Sequence, residues 1–152
     1  KDVEDIRIEL TTEGYIRTKK KSKQRPKVSH PDRFESSDGT LIEVGKNNLQ
    51  NERLSLKQAD RRDIWLHVQK IPGSHVIIHD ANPSEAALIE AAKLAAYYSK
   101  ARDSANVPVD YLPAGKLRKP NGAKPGFVIF EGQQTLYVTP DAALVSQLKI
   151  KK

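Results

Sequence analysis

A chain of 152 residues, 38% of them hydrophobic and 30% charged, has the apolar content for one core, since domains of about 100–150 residues are the commonest size. The absence of cysteine excludes disulfides, thiolate nucleophiles and cysteine-ligated zinc together, and no apolar run reaches the roughly 18 residues of a membrane-spanning helix. The formal charge of +7 is concentrated: residues 17–27, residues 116–124 and the terminal Lys149, Lys151 and Lys152 hold fourteen of the 26 basic residues, which leaves 12 against 19 acidic ones, a net −7, elsewhere. Three cationic patches on an acidic body suit a polyanionic partner.

The chain begins at Lys1 and contains no methionine, so we expect a piece of a longer protein. Val3, Ile6 and Leu10 recur at helical spacing ahead of Gly14 and predict a short helix over residues 2–13. Residues 18–32 carry two prolines, Lys19, Lys20, Lys21 and Lys23 and one isolated valine, the composition of an extended basic connector. The expected division is therefore 1–32, a helical end plus basic linker, and 33–152, a compact domain. Residues 34–36 and 40–44 flank Ser37-Asp38-Gly39 and predict a hairpin. Asn47 is the expected cap of a short helix running to Leu56.

Residues 63–69 and 74–79 predict a second strand pair turning on Pro72-Gly73, where proline presets φ and glycine supplies the positive φ of a type II turn. That even-length connection places Ile64, Leu66, Val68, His75, Ile77 and His79 on one face and Trp65, His67, Val76 and Ile78 on the other. With apolar residues on both, the sheet is expected to be covered on both, by helices on one side and by something else against Trp65 and His67. Asn82-Pro83-Ser84-Glu85 has Asn as cap, Pro at the first helical position and Glu at the third, and opens a helix to about Arg102 with Leu88, Ala91, Ala92, Ala95 and Tyr98 buried. Residues 107–112, 126–131 and 134–139 predict further strands, the last two joined as a hairpin through Gly132-Gln133. Between the first two lies a Gly/Pro-punctuated basic loop, P-A-G-K-L-R-K-P-N-G-A-K-P-G. A last helix, 140–148, follows Thr139 as cap. The sum is α+β: a mainly antiparallel sheet of about six strands with one long helix packed across it and short flanking helices.

The histidines do not assemble a metal site in this reading. His75 and His79, four apart on one strand, have Cα atoms about 13 Å apart, and His67 faces away from His75. Catalysis lacks a motif too: G-x-S-x-G, the P-loop and G-x-G-x-x-G are all absent, and Ser74 and His75, as neighbours on a strand, point to opposite faces. Neither a cofactor, a metal nor an enzymatic activity is expected. Nucleic-acid contact has more behind it, because the basic loop offers Lys116, Arg118, Lys119 and Lys124 between glycines that let the main chain come close to phosphates. Trp65, Tyr97, Tyr98 and Tyr111 are the aromatic candidates for base stacking, set against their ordinary use as core.

The strings D-I-W-L-H-V-Q-K-I-P-G-S-H-V-I-I, A-A-K-L-A-A-Y-Y-S-K-A-R, V-P-V-D-Y and R-K-P-N-G-A-K-P-G, in this order, resemble the NFACT-R domain. This is the C-terminal module of the RqcH/NEMF ribosome quality-control family, whose bacterial members are also known as FbpA or PavA-type fibronectin-binding proteins. The resemblance covers about residues 33–140. It implies an RNA-binding module of a factor that clamps the large ribosomal subunit and recruits tRNA for tailing of the stalled nascent chain. The family's motif positions fall on Asp63, Trp65, His67, Gly73, Ser74, His75, Ser99, Lys100, Lys119, Lys124, Pro125 and Gly126. Where the pattern often has Thr after V-P-V-D-Y, this chain has Leu112 and then Pro113-Ala114-Gly115.

The candidate nucleic-acid contacts are therefore Trp65, His67, His75, Lys100, Arg102, Lys116, Arg118, Lys119 and Lys124, with Lys19, Lys20, Lys21 and Lys23 in the linker. Pro72, Gly73, Pro125 and Gly126 are the expected turn residues. The partners implied are the large ribosomal subunit, rRNA or tRNA, for a cytoplasmic monomer without membrane insertion. The second expectation, from the same resemblance, is a fibronectin-binding domain of a bacterial surface adhesin exported without a signal peptide.

Overall fold

The computed structural model describes residues 30–150. The predicted helix over 2–13, most of the basic connector with Lys19, Lys20, Lys21 and Lys23, and Lys151 and Lys152 lie outside the described residues. Six strands form one antiparallel sheet in the order β1-β2-β4-β3-β5-β6: β1 (Asp32–Glu35), β2 (Leu41–Val44), β3 (Ile64–Val68), β4 (Val76–Ile78), β5 (Val107–Pro113) and β6 (Gln134–Val138). Three helices accompany it, α1 (Asn48–Arg53), α2 (Glu85–Tyr97) and α3 (Ala142–Leu148), and α1 continues into a π-helical turn, Leu54–Gln58. The α+β class, the strand number and the long helix across the sheet are as the sequence implies.

The β1–β2 hairpin turns through Gly39 at φ +89, with Gly39 N donating to Ser36 O. Asn47 caps α1 through its side chain, which accepts from Gln50 N at 2.9 Å. The second strand pair departs from expectation in a way that decides the site. Ile64 pairs with Ile78, Trp65 with Ile77 and Leu66 with Val76, so residues of equal parity share a face. The link is not the predicted type II turn centred on Pro72-Gly73 but seven residues, Gln69 to His75, and its positive φ falls at Lys70 (+66) rather than at Gly73. Odd length reverses the parity predicted for β4. His67 and His75 therefore lie on one face with Trp65, and Val76 and Ile78 join Leu66 on the other.

That link is held by the end of α2. Ser74 N donates to Tyr98 O (2.9 Å), Lys100 N to Pro72 O (3.2 Å), and Gly73 bridges Ser99. The helix stops at Tyr97, short of Arg102: its last carbonyls accept from Ser99 Oγ (Ala96 O), from Arg102 Nε (Tyr97 O) and, from the link, Ser74 N (Tyr98 O). A Cβ on Gly73 would stand 2.8 Å from Ser99 Cβ, so glycine is required here for close approach. At the other end the cap is Ser84, not Asn82: its hydroxyl accepts from Ala87 N, which places Pro83 in the turn before the helix. The last helix likewise starts later than predicted. Asp141 caps it by accepting from Ala143 N and Leu144 N, while Thr139 accepts from Asn106 N instead.

Residues 126–131 are not a strand. Apart from one bridge, Arg118 with Ile129, the segment 117–130 makes no ladder; Pro120 and Pro125 remove donors, and Gly126 turns at φ +86. The strand β6 pairs with β5 instead of closing a hairpin at Gly132-Gln133, as Val109 opposite Leu136 and Asp110 opposite Thr135 record.

Two apolar layers result. On one side Phe34, Ile42, Leu66, Val76, Ile78 and Val109 are sealed by α2, whose Ala91, Ala92, Ala95 and Ala96 allow the helix to sit close, with Val145 and Leu148 of α3 beside it. On the other side Trp65, Ile77 and Leu112 are covered by Leu54 of the π turn and by Leu117, Val128 and Phe130 of the basic loop. A fully buried Val, Leu, Ile or Phe side chain contributes about 1.5–3 kcal/mol, so the loop gains its place from buried Leu117 and, by a smaller amount each, from partly buried Val128 and Phe130.

The register also brings Asp63 and Glu43 to His79. His79 Nδ1 lies 2.9 Å from Asp63 Oδ2 and Nε2 lies 2.7 Å from Glu43 Oε1. The hydrogen bond and charge of Glu43 raise the His79 pKa above 6.5 against burial, and His79 lowers Glu43 below 4.5. A raised histidine stabilises fully below its unfolded value of 6.5 and loses that contribution as pH rises through its folded value. A depressed carboxylate stabilises above 4.5 and loses its part as pH falls. Between these values both act. We expect His79→Gln to cost about 1–2 kcal/mol near pH 5.5, at the low end for buried pairs because the ring is partly exposed, and less at pH 8.5. Urea unfolding at the two pH values measures this; a deficit that grows with pH contradicts the assignment.

Candidate nucleic-acid interface

The reversed parity builds an aromatic cluster on the loop-covered face. Trp65 and His67 stack with ring centroids 5.7 Å apart at 4°, and His75 meets both edge-on, at 5.3 Å from Trp65 and 5.5 Å from His67. Phe130 closes the cluster 5.0 Å from Trp65. Both imidazoles are held within the protein. His67 Nδ1 faces Val68 O and Nε2 faces Gly73 O, at 3.2 Å for the latter. Ser55 Oγ donates to His75 Nδ1 at 2.7 Å, which leaves Nε2 to carry the proton toward Gly126, and Asn51 Oδ1 accepts from His75 N. Burial lowers the His67 pKa below 6.5 despite the carbonyls around it, and burial together with His67 brings His75 down to about 3. A neutral His67 donates to one of its two carbonyls, Val68 O being the nearer, and the two uncharged rings offer a ligand faces and edges rather than a charge.

The loop above is fastened by a residue the sequence did not single out. Glu52 on α1 pairs with Lys119 Nζ at 2.9 Å and accepts from Gly126 N at 2.9 Å, so one carboxylate ties both limbs of the loop. A hydrogen bond from Lys119 is the main cause of the lowered Glu52 pKa. Lys119 is thus a fastening residue first, whereas Lys116, Arg118 and Lys124 are exposed and make no ion pair among the described residues. Below Lys124 and Phe127 opens a cleft of about 510 Å³ lined by Asn48, Asn51, His67, Pro72, His75 and Gly126. Phe127 stands at its mouth, 54% exposed.

A separate groove of about 400 Å³ holds Lys46, Lys100, Arg102 and Ser99, and it too reaches Pro72 and Gly73. The cations of the loop and those beyond α2 therefore flank one ridge. Arg102 lies over the Tyr97 ring at 4.2 Å and donates from Nε to Tyr97 O, so its guanidinium is oriented in advance. Of the stacking candidates, Tyr98 packs on Phe34 and Tyr97, and Tyr111 leans on the helix-side core. Their ordinary use as core is the one the structure shows, and Phe127 is the exposed aromatic beside the cleft. Its signal in the sequence is an aromatic directly after a K-P-G turn.

Residues 31–132 match the NFACT protein RNA binding domain. The chain belongs to the NFACT-R family. It is 49% identical over 152 residues to the Rqc2 homolog RqcH of Bacillus subtilis (strain 168), 98% of this chain, and 47% identical over 151 residues to that of Streptococcus suis (strain 05ZYH33). It spans 27% of the length of these curated relatives. The solved C-terminal structure of the fibronectin/fibrinogen-binding protein of Streptococcus suis is similar at a TM-score of 0.81 and 48% identity, over 84% of this chain and 52% of that one. Within the NFACT-R domain the motif strings converge in space: I-P-G-S-H meets Y-S-K at the Gly73–Ser99 bridge, and K-P-G meets Glu52.

Proposed function

We propose that this NFACT-R domain is a noncatalytic RNA-binding module serving ribosome-associated quality control, contacting rRNA of the large subunit or bound tRNA. One observation carries the reading: Lys116, Arg118 and Lys124 are free of partner carboxylates among the described residues, on a loop anchored by apolar residues and by Glu52. A loop whose main chain is already anchored loses less backbone entropy on meeting phosphate than an unanchored segment does, while its lysine and arginine side chains stay free to reach. Relatives named for RqcH and a family model described as RNA binding support the same assignment.

A second reading, fibronectin capture at the cell surface, rests on the similar streptococcal protein and on one edge of the sheet. The outer edge of β1 is occupied by Lys149 and Ile150, through the Phe34–Lys149 bridge and Ile150 N to Arg33 O. The outer edge of β6, with uncharged Gln134-Thr135-Leu136-Tyr137-Val138 and Tyr137 66% exposed, has no partner among the described residues. Such an edge accepts an added strand. Labelled single-stranded RNA and fibronectin titrated in parallel across a salt series separate the two. We expect RNA affinity to fall steeply with salt; flat, salt-tolerant fibronectin binding with no RNA binding makes the adhesive reading primary.

A further inference from the structure

We infer that the cleft below Phe127 receives one unpaired nucleobase, so that the domain selects single-stranded over double-stranded RNA. This inference rests on the RNA-binding reading and adds the chemistry of its recognition. The cleft of about 510 Å³ and an adjoining hollow of about 550 Å³ share His67, Pro72, His75, Gly126 and Phe127, and their size suits a small planar ligand rather than a duplex. An A-form helix keeps its bases stacked inside, whereas an unstacked base can leave the strand and lie on an aromatic ring.

The lining sorts the parts of a nucleotide. His67 and His75 are uncharged, as argued above, so they receive a neutral heterocycle without the desolvation penalty that a cation on the floor would add. Asp110, buried and bonded to Gln69 and Thr135, lines the adjoining hollow opposite the cation Lys70 and offers a carboxylate acceptor to a base edge. Lys124 stands on the cleft's exposed rim, where a phosphate on either side of the base finds its counter-charge. Gly122 and Gly126, at φ +77 and +86, shape the rim with main chain and no side chain. Charge complementarity favours this occupant over an apolar protein side chain, because Lys124 stands on the cleft's rim and Lys70 on the hollow's, while the two imidazoles between them carry no charge.

Trp65 is the only tryptophan, it is 1% exposed, and it stacks on the His67 ring that floors the cleft. Its emission therefore reports on cleft occupancy without a label. The experiment titrates a ten-nucleotide single-stranded RNA and a duplex of the same length, reading Trp65 emission and RNA anisotropy together, for the wild-type protein, Phe127→Ala and Phe127→Tyr. Phe127 is exposed, so both variants are expected to fold. We expect the single strand to shift Trp65 emission, Phe127→Ala to weaken it by roughly ten- to a hundredfold, Phe127→Tyr to restore it, and the duplex to move neither. Single-strand binding that is salt-steep, indifferent to Phe127→Ala and silent in Trp65 emission overturns the cleft and leaves the RNA reading standing. Equal binding of the duplex with the same dependence on Phe127 overturns the single-strand preference. Binding of neither RNA overturns the RNA reading itself, and a Trp65 response to fibronectin alone assigns the cleft to a protein side chain.

Discussion

Replacing Lys116, Arg118 and Lys124 together by glutamate is expected to weaken RNA binding by at least about 100-fold near 0.1 M salt and to lower the salt slope by about three, one for each lost phosphate contact. The three side chains are exposed and unpaired among the described residues, so the fold does not depend on them. Lys119 is left untouched on purpose. Its ammonium is 2.9 Å from Glu52, and a glutamate there places two carboxylates together at the point where the loop is fastened. Lys119→Glu then unfastens the loop as well as removing a charge, and its effect on RNA has two causes. The triple variant has one. A folded triple variant with unchanged affinity and slope sinks the assignment of these cations.

Trp65→Ala is expected to cost about 3–5 kcal/mol in urea unfolding, the usual range for emptying a large aromatic site, and Trp65→Phe markedly less. Trp65 is buried between Ile77, Leu112, His67 and Phe130, so its ring joins the sheet to the loop above. Its Nε1–H finds no acceptor among the described residues. Removing that group while keeping an aromatic ring loses no hydrogen bond and relieves a desolvation cost of about 1–3 kcal/mol, which offsets part of the smaller ring's lost packing. Trp65→Phe as damaging as Trp65→Ala requires an acceptor for the indole. Because the loop packs on this ring, Trp65→Ala is also expected to weaken RNA binding at concentrations where it remains folded.

What the sequence made legible was local. The Ser37-Asp38-Gly39 hairpin, the Asn47 cap and the alanine-rich helix follow from turn chemistry, capping and periodicity within a few residues of each other. The covered state of both sheet faces also followed, since Leu66 and Ile77 on one predicted face and Trp65 and Val76 on the other are all apolar, and exchanging Ile77 with Val76 leaves both faces apolar. The parity of β4 did not, because it depends on the left-handed Lys70 and on a seven-residue link that Tyr98 and Ser99 hold from across the chain. Pro72-Gly73 resembles a tight turn locally, but tertiary hydrogen bonds decide its length. The same limit hid the candidate site. His67 and His75 seemed to face apart until the register was seen, and Glu52 acts on Lys119 and Gly126 from 67 and 74 residues away. Residues 126–131, F-V-I-F in their middle, carry strand propensity that the prolines and a covering role over Trp65 override. The motif positions that the resemblance names include His67, His75, Lys124 and Gly126, which line one cleft and which periodicity did not bring together.

The most direct test of the RNA-binding claim is anisotropy of the labelled domain on purified large ribosomal subunits across a salt series. The account predicts saturable binding whose logarithm of affinity falls linearly with the logarithm of salt concentration, with a slope of about three or more that the Lys116, Arg118 and Lys124 variant largely abolishes. Binding that is absent at low salt, or that is present with a flat slope and survives those three replacements, contradicts it.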